Sequence, residues 1–233
     1  MQKSRSSIFL LCASSILVIP VLTGCSSGDN KSAGAGKDWP VYLADNFSSH
    51  YSKLTEISKD NISQLELAWE YHAGDDVSMN RTQIQCNPII IDGILYATSP
   101  RLKVFALNAS TGKKIWEFDP DPENQYAQNV NRGVSYWQNG RDKRILFTAG
   151  SDLFALNAET GKLIETFGTS GRVSIKEGLG ERSKDLYVVT TTPGIVYHDL
   201  LIIGSRVSEE AGGAPGYIRA FSIPAGTLEW TFK

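Results

Sequence analysis

The side chains on which metal binding, nucleophilic catalysis or thiol chemistry could be built are few and scattered. They are His50, His72 and His198, the cysteines Cys12, Cys25 and Cys86, and the acidic run Asp119-Pro120-Asp121-Pro122-Glu123. No metal-ligand spacing and no Ser-His-Asp arrangement joins the histidines. Three carboxylates in five residues would suit a hard cation, but the two prolines hold an extended path that splays them, which favours a solvated turn. Cys86 stands alone in the body of the chain, so no internal disulfide framework can form. Gly178-Leu179-Gly180 is too short for a phosphate-binding fingerprint, and no helical pattern follows it. With a formal net charge of −2 over 233 residues there is no basic field, which argues against a nucleic-acid partner. No single local motif carries a reaction.

The elements that would position chemistry are clearer. Ala106-Leu107-Asn108-Ala109-Ser110-Thr111-Gly112-Lys113-Lys114-Ile115-Trp116 recurs as Ala155-Leu156-Asn157-Ala158-Glu159-Thr160-Gly161-Lys162. A worn copy, Ala220-Phe221-Ser222-Ile223-Pro224-Ala225-Gly226, ends in Trp230. Each copy reads as an apolar strand, a polar turn whose Gly can take positive φ, and a second strand returning an aromatic or aliphatic residue to the core. Hairpins repeating at roughly 50 to 65 residues point to four-stranded propeller blades. The expected fold is therefore all-β, a partial β-propeller of about three blades.

Other strands are expected around these hairpins. Pro88 to Tyr96 should turn at Asp92-Gly93; Val134 to Trp137 and Arg144 to Thr148 should be joined by Asn139-Gly140-Arg141-Asp142. Tyr187 to Thr192, Gly194 to Tyr197 and Leu200 to Gly204 should supply the third blade, with Ser205 to Gly216 as a loop. Leu153 to Phe167 should complete the second blade, and Gly168 to Asp185 should be a long Gly-rich loop. Ser58 to Leu65 is expected as a short helix capped by Ser58. Leu67 to Tyr71, with Trp69, should be an outer strand of a closing blade. Propellers close with about four to eight blades, so three blades ending at Lys233 are expected to be the N-terminal part of a longer ring.

At the N-terminus, Lys3 and Arg5 precede an apolar run from Ile8 to Val21, closed by Leu22-Thr23-Gly24-Cys25. This resembles a bacterial lipoprotein leader, the apolar run being shorter than the ~20 residues of a spanning helix. The resemblance implies a signal peptide over 1–24, a lipid on Cys25 and a flexible Ser/Gly/Ala-rich tether over 25–38, leaving 39–233 as the folded part. The protein would sit lipid-anchored in the cell envelope, facing the periplasm, with the outer membrane favoured over the inner in a Gram-negative cell.

Within 39–233 the repeat matches the tryptophan-docking motif Ala-x-Asp/Asn-x-x-Thr-Gly-x-x-x-Trp at Ala106, Asn108, Thr111, Gly112 and Trp116. The second copy has Glu165 in place of the Trp; in the third, Ser222 and Ala225 replace the Asp and Thr. The non-repeated segments Trp39-Pro40-x-Tyr42, Tyr51-Ser52-x-Leu54-x-x-Ile57, Asn61-Ile62-x-x-Leu65, Ala68-Trp69, Gln85-x-x-Pro88, Asn131-Arg132-Gly133-Val134-Ser135-Tyr136 and Gly204-Ser205-Arg206-Val207-Ser208 are distinctive. With them the chain resembles the quinoprotein dehydrogenases that use pyrroloquinoline quinone (PQQ), in the branch of the membrane glucose and polyol enzymes.

That resemblance implies an expected eight-bladed propeller and an enzyme oxidising an alcohol, polyol or aldose in the cell envelope, with electrons passed to a quinone or cytochrome. It implies cofactor contacts at Gln85, Arg132, Thr148, Ser205 and Arg206. Guanidinium suits PQQ, a planar tricarboxylate, because it binds such groups bidentately. Calcium is the implied metal, and Glu209 falls near one of its carboxylate ligands. Where the methanol-oxidising branch has adjacent cysteines, this chain has Tyr126 and Ala127, which favours the sugar or polyol branch. The catalytic base and main calcium ligands would lie beyond Lys233, so the piece alone is expected to be inactive. The alternative is a non-catalytic propeller lipoprotein serving as an assembly or binding scaffold, since similar blades occur without catalysis.

Overall fold

In the computed structural model the described residues are 38–75, 82–123, 126 and 130–233. The expectations for the leader, for Cys25, for all of the tether but Asp38, and for Ala127 lie outside them. Among the described residues no helix is long and apolar enough to cross a membrane.

The repeats fold as three four-stranded antiparallel meanders. The first blade is β1 (Ile89–Ile91), β2 (Ile94–Thr98), β3 (Val104–Asn108) and β4 (Lys114–Phe118). Its first hairpin turns at Asp92-Gly93, where φ is 51° and 76°, the left-handed pair that a two-residue turn between twisted strands requires. The second blade is β5 (Ser135–Asn139), β6 (Asp142–Ala149), β7 (Asp152–Asn157) and β8 (Arg172–Ser174). A short ladder then pairs β9 (Val188–Val189) with β12 (Arg206–Val207). The third blade is β10 (Ile195–Tyr197), β11 (Leu200–Ile203), β13 (Ile218–Ser222) and β14 (Leu228–Phe232).

Both faces of the middle blade are apolar because the strand period sends alternate residues to opposite neighbours. Ile145, Phe147, Phe154 and Leu156 pack with Ile89, Tyr96, Val104 and Trp116 toward the first blade. Leu146, Leu153 and Ala155 pack with Leu201, Ile203 and Phe221 toward the third. These strands therefore read as continuous buried runs rather than as alternating ones.

The repeated turn is a self-contained hydrogen-bond unit. Asn108 Oδ1 accepts from the Ser110 N–H at 3.1 Å, the Thr111 N–H at 3.0 Å and the Thr111 hydroxyl at 3.0 Å. Asn157 does the same for Glu159 and Thr160. In the worn copy Ser222 Oγ keeps one such bond, from the Ala225 N–H at 3.4 Å.

Four expectations are corrected. The segment 187–192 adds no strand to the third blade: β9 pairs instead with β12, inside the stretch 205–216 expected to be loop. Residues 67–73 form no strand, yet Trp69 docks on the first blade as an outer-strand Trp would, its indole N–H donating to Ala109 O at 3.1 Å. The segment 58–65 gives only a 3-10 turn, Ile62–Gln64, with Asn61 at the cap position and no side-chain cap. The second copy does not return as a strand directly after its turn: only Leu163 bridges back to Leu156, and the outer strand is β8, inside the stretch expected to be loop. That stretch also carries a 3-10 turn, Glu181–Asp185.

Candidate functional site at the blade lead-ins

Three lead-in segments, before β1, β5 and β10, run side by side. The Asn87 N–H donates to Arg132 O at 2.9 Å, and the Arg132 N–H donates to Thr191 O at 2.7 Å. Gly133 permits this approach: at φ 144°, an added Cβ would stand 2.9 Å from Asn87 O and 3.3 Å from Pro193 Cγ.

Hydroxyls at the ends of the second strands tie the first two blades to the next lead-in. The Thr98 hydroxyl meets Asn131 Oδ1 at 3.4 Å and the Thr148 hydroxyl donates to Thr190 O at 2.7 Å; in the third blade the tie is reversed, the Thr190 hydroxyl of the lead-in donating to Gly204 O, just past the second strand, at 2.8 Å. The Asn131 amide donates to Thr148 O at 2.9 Å, while its carbonyl oxygen accepts the Gly133 N–H at 2.7 Å. The interlock leaves the lead-ins little freedom, which is what a preorganised binding surface needs.

Arg132 is half-buried and lies along the neighbouring lead-in. Its guanidinium donates to the hydroxyls of Thr191 at 3.1 Å and Thr192 at 3.4 Å. Among the described residues no carboxylate forms an ion pair with it. A guanidinium oriented by neutral hydroxyls and short of a counter-charge is suited to an anionic ligand, and so to a carboxylate-bearing planar cofactor.

Of the other sequence candidates, Gln85 and Thr148 are tied to the same lead-ins, while among the described residues no hydrogen bond or ion pair joins Ser205, Arg206 or Glu209 to Arg132. Gln85 is half-buried, two residues from Asn87, and its side-chain amide has no hydrogen-bond partner among the described residues. Thr148 is buried and gives its proton to Thr190 O, leaving only lone pairs for a ligand. Ser205 follows Gly204, the acceptor for Thr190, and its hydroxyl accepts from the Arg219 guanidinium. Arg206 lies exposed in β12, opposite Val189. Glu209 is exposed on the following loop. No group of three or more His, Cys, Asp or Glu side chains that could hold a metal occurs among the described residues.

The acidic run is a capped turn: Asp121 Oδ2 accepts the Tyr126 N–H at 2.7 Å, and Asp119 Oδ1 accepts the Asp121 N–H at 2.9 Å. Tyr126 packs against Gly150, and its hydroxyl donates to Asp152 at 2.6 Å. Cys86, beside Gln85, accepts the Thr98 N–H through Sγ at 3.2 Å, and burial pushes its thiol pKa up.

Sequence reasoning missed Thr190, Thr191 and Thr192 as the partners of Thr148 and Arg132. The run Thr190-Thr191-Thr192-Pro193 at a strand approach was the available signal. It also missed Asp75, buried beneath the first blade, which accepts from the Ser99 hydroxyl at 2.5 Å.

Residues 39–233 match the family described as "PQQ: Glucose/ethanol/alcohol dehydrogenase, beta-propeller domain". The chain is 35% identical over 215 residues to the dehydrogenase subunit of an alcohol dehydrogenase (quinone) of Gluconobacter oxydans, covering 90% of this chain and 26% of the relative. It is 31% identical over 216 residues to a quinoprotein glucose dehydrogenase of Escherichia coli, covering 85% and 27%. Among solved structures, it superimposes on quinohemoprotein alcohol dehydrogenase from Comamonas testosteroni with a TM-score of 0.69 and 27% identity, over 87% of this chain and 28% of that one. The chain thus spans about a quarter of the length of these relatives.

Proposed function

Because the chain belongs to the PQQ glucose/ethanol/alcohol dehydrogenase β-propeller family, we propose that it contributes the N-terminal blades of a PQQ-dependent dehydrogenase oxidising an alcohol, polyol or aldose. The observation that carries the proposal is Arg132, a half-buried guanidinium aimed by Thr191 and Thr192 with no carboxylate paired to it among the described residues. When bound, the quinone would supply the electron sink that the protein's own side chains lack.

In this reading the chain's residues bind and orient. Arg132 takes a cofactor carboxylate or quinone oxygen through its two-pronged edge, and Gln85 adds a neutral amide from the neighbouring lead-in. Thr148 holds the Thr190 lead-in that carries Thr191 and Thr192. Ser205 and Arg206 approach from the third blade. Glu209 lends at most one carboxylate to the implied calcium, since no multi-ligand group surrounds it among the described residues. Electrons would pass on to a quinone or cytochrome, and the catalytic base and remaining metal ligands would come from the rest of the propeller. Export as a lipoprotein through Cys25 belongs to the same proposal and is tested by loss of lipid labelling in Cys25→Ser.

The experiment is dye reduction by the full-length protein with added PQQ and calcium, offered ethanol, glucose and polyols in turn. Turnover with at least one class, sharply weakened by Arg132→Ala, is expected. No turnover with any class and no quinone binding would reject the reading in favour of a non-catalytic scaffold.

A further inference from the structure

The third blade carries a charge where the other two carry a ring. Arg219 stands opposite Ile203, as Phe105 stands opposite Ala97 and Phe154 opposite Phe147. Phe105 and Phe154 are buried apolar residues, whereas Arg219 is a guanidinium at 0% exposure. Among the described residues it has no carboxylate partner, and its Nε–H has no acceptor. Burial pushes its pKa down to about 10, so it is still charged at neutral pH. A buried cation compensated only by neutral acceptors is costly, and a Phe at this place would avoid the cost.

What the charge does is local. One terminal nitrogen donates to the carbonyls of Ile175 and Glu177, at the turn after β8, and the other donates to the Ser205 hydroxyl. Ser205 lies between Gly204, the acceptor for the Thr190 hydroxyl, and Arg206 in β12. The first blade shows the same device with the charge reversed: Ser99, one residue past Thr98, bonds the buried carboxylate of Asp75.

We propose that Arg219 is a positioning residue that clamps Ser205 to the Ile175–Glu177 turn and so fixes the Ser205-Arg206 edge of the cofactor site beside the Thr190–Thr192 lead-in. The inference rests on the reading of Ser205 and Arg206 as cofactor contacts, but the clamp itself is visible without cofactor. Arg219 does not touch the ligand; it acts through Ser205.

Two measurements on the full-length protein test it, comparing wild type, Arg219→Phe, Ser205→Ala and the double variant. Arg219→Phe installs the residue of the other two blades and is expected to keep the melting temperature of the wild type. Without cofactor, amide hydrogen exchange of residues 205–207 should quicken at least tenfold in either single variant. PQQ affinity, followed by quenching of tryptophan fluorescence, should fall about tenfold in Arg219→Phe, further in Ser205→Ala, which also loses its own contact, and no further in the double than in Ser205→Ala, as one linked unit requires. Unchanged exchange in Arg219→Phe, or fully additive losses in the double, would overturn the clamp. If Arg219→Phe does not fold, Ser205→Ala carries the exchange test without cofactor, where only the clamp is lost. Quickened exchange with no PQQ binding by the wild type would instead leave the clamp standing and reject the cofactor reading.

Discussion

The indole of Trp116 occupies the space in which a side chain at Gly161 would stand. A Cβ on Gly161 would lie 2.6 Å from two of its ring atoms, and the indole N–H donates to Ala158 O at 2.9 Å. Trp69 stands in the same relation to Gly112 and Ala109. The repeat therefore works between blades: the Trp ending one unit reads the Gly and carbonyl of the next.

Trp116→Ala should cost about 3–5 kcal/mol of unfolding free energy in denaturant titrations, as for other buried large-to-small changes. Gly161→Ala should cost about 1–3 kcal/mol from overpacking alone, with additional strain because φ there is 70°. The double variant should lose less than the sum, since the methyl enters space the indole has vacated.

At the next interface Glu165 replaces the Trp, and Arg144 takes the matching carbonyl. It donates to Ile223 O at 2.9 Å and Pro224 O at 3.1 Å, is held by Asp142 at 2.7 Å, and lies over the Trp137 ring. Ile94 holds the corresponding place in the first blade. Arg144→Ile should therefore fit sterically yet cost about 2–3 kcal/mol, because two interblade hydrogen bonds go. Adding Glu165→Trp should not restore stability, because position 165 is exposed and the Gly168 N–H already bonds Ala225 O at 2.8 Å.

Alkaline pH should weaken the fold. Burial, with Glu117 nearby, pushes Tyr71 up to about 12, and burial, with Asp92 and Glu159, does the same for Tyr136. A tyrosine whose pKa is raised on folding stays protonated in the native state while the unfolded chain ionises near pH 10, so its contribution is complete below about pH 10 and lost as pH rises through about 12. Arg219 acts oppositely, its buried charge being relieved above about pH 10. Burial pushes Tyr96 and Tyr126 up as well, so with four tyrosines against one arginine, unfolding free energy is expected to fall from about pH 10 upward. Replacing Tyr71 and Tyr136 by Phe should reduce that fall without abolishing it, since Tyr96 and Tyr126 remain.

The blades were legible because hairpin turns and strand runs are local: Asp92-Gly93, Asn108 to Gly112 and Asn157 to Gly161 each specify their own geometry. Trp69 was legible as a docking residue but not its backbone, since docking needs the ring and not a ladder. The return of the second copy was misread because the outer strand pairs with Leu153 and Phe154 across a long excursion. In the site, Arg132 and Gln85 stood out through family likeness, while Thr191, Thr192 and Arg219 did not. Their roles arise from bonds spanning 59, 60 and 44 residues, which no spacing along the chain encodes.

The most direct test of the central claim is equilibrium binding of PQQ to the full-length protein, comparing wild type with Arg132→Ala and Arg132→Lys. Saturable binding is expected, weakened about 10- to 100-fold in Arg132→Ala by loss of charge-assisted hydrogen bonds and only partly recovered in Arg132→Lys, which keeps the charge without the planar fork. Equal affinity in all three proteins, or no binding by the wild type, would contradict it.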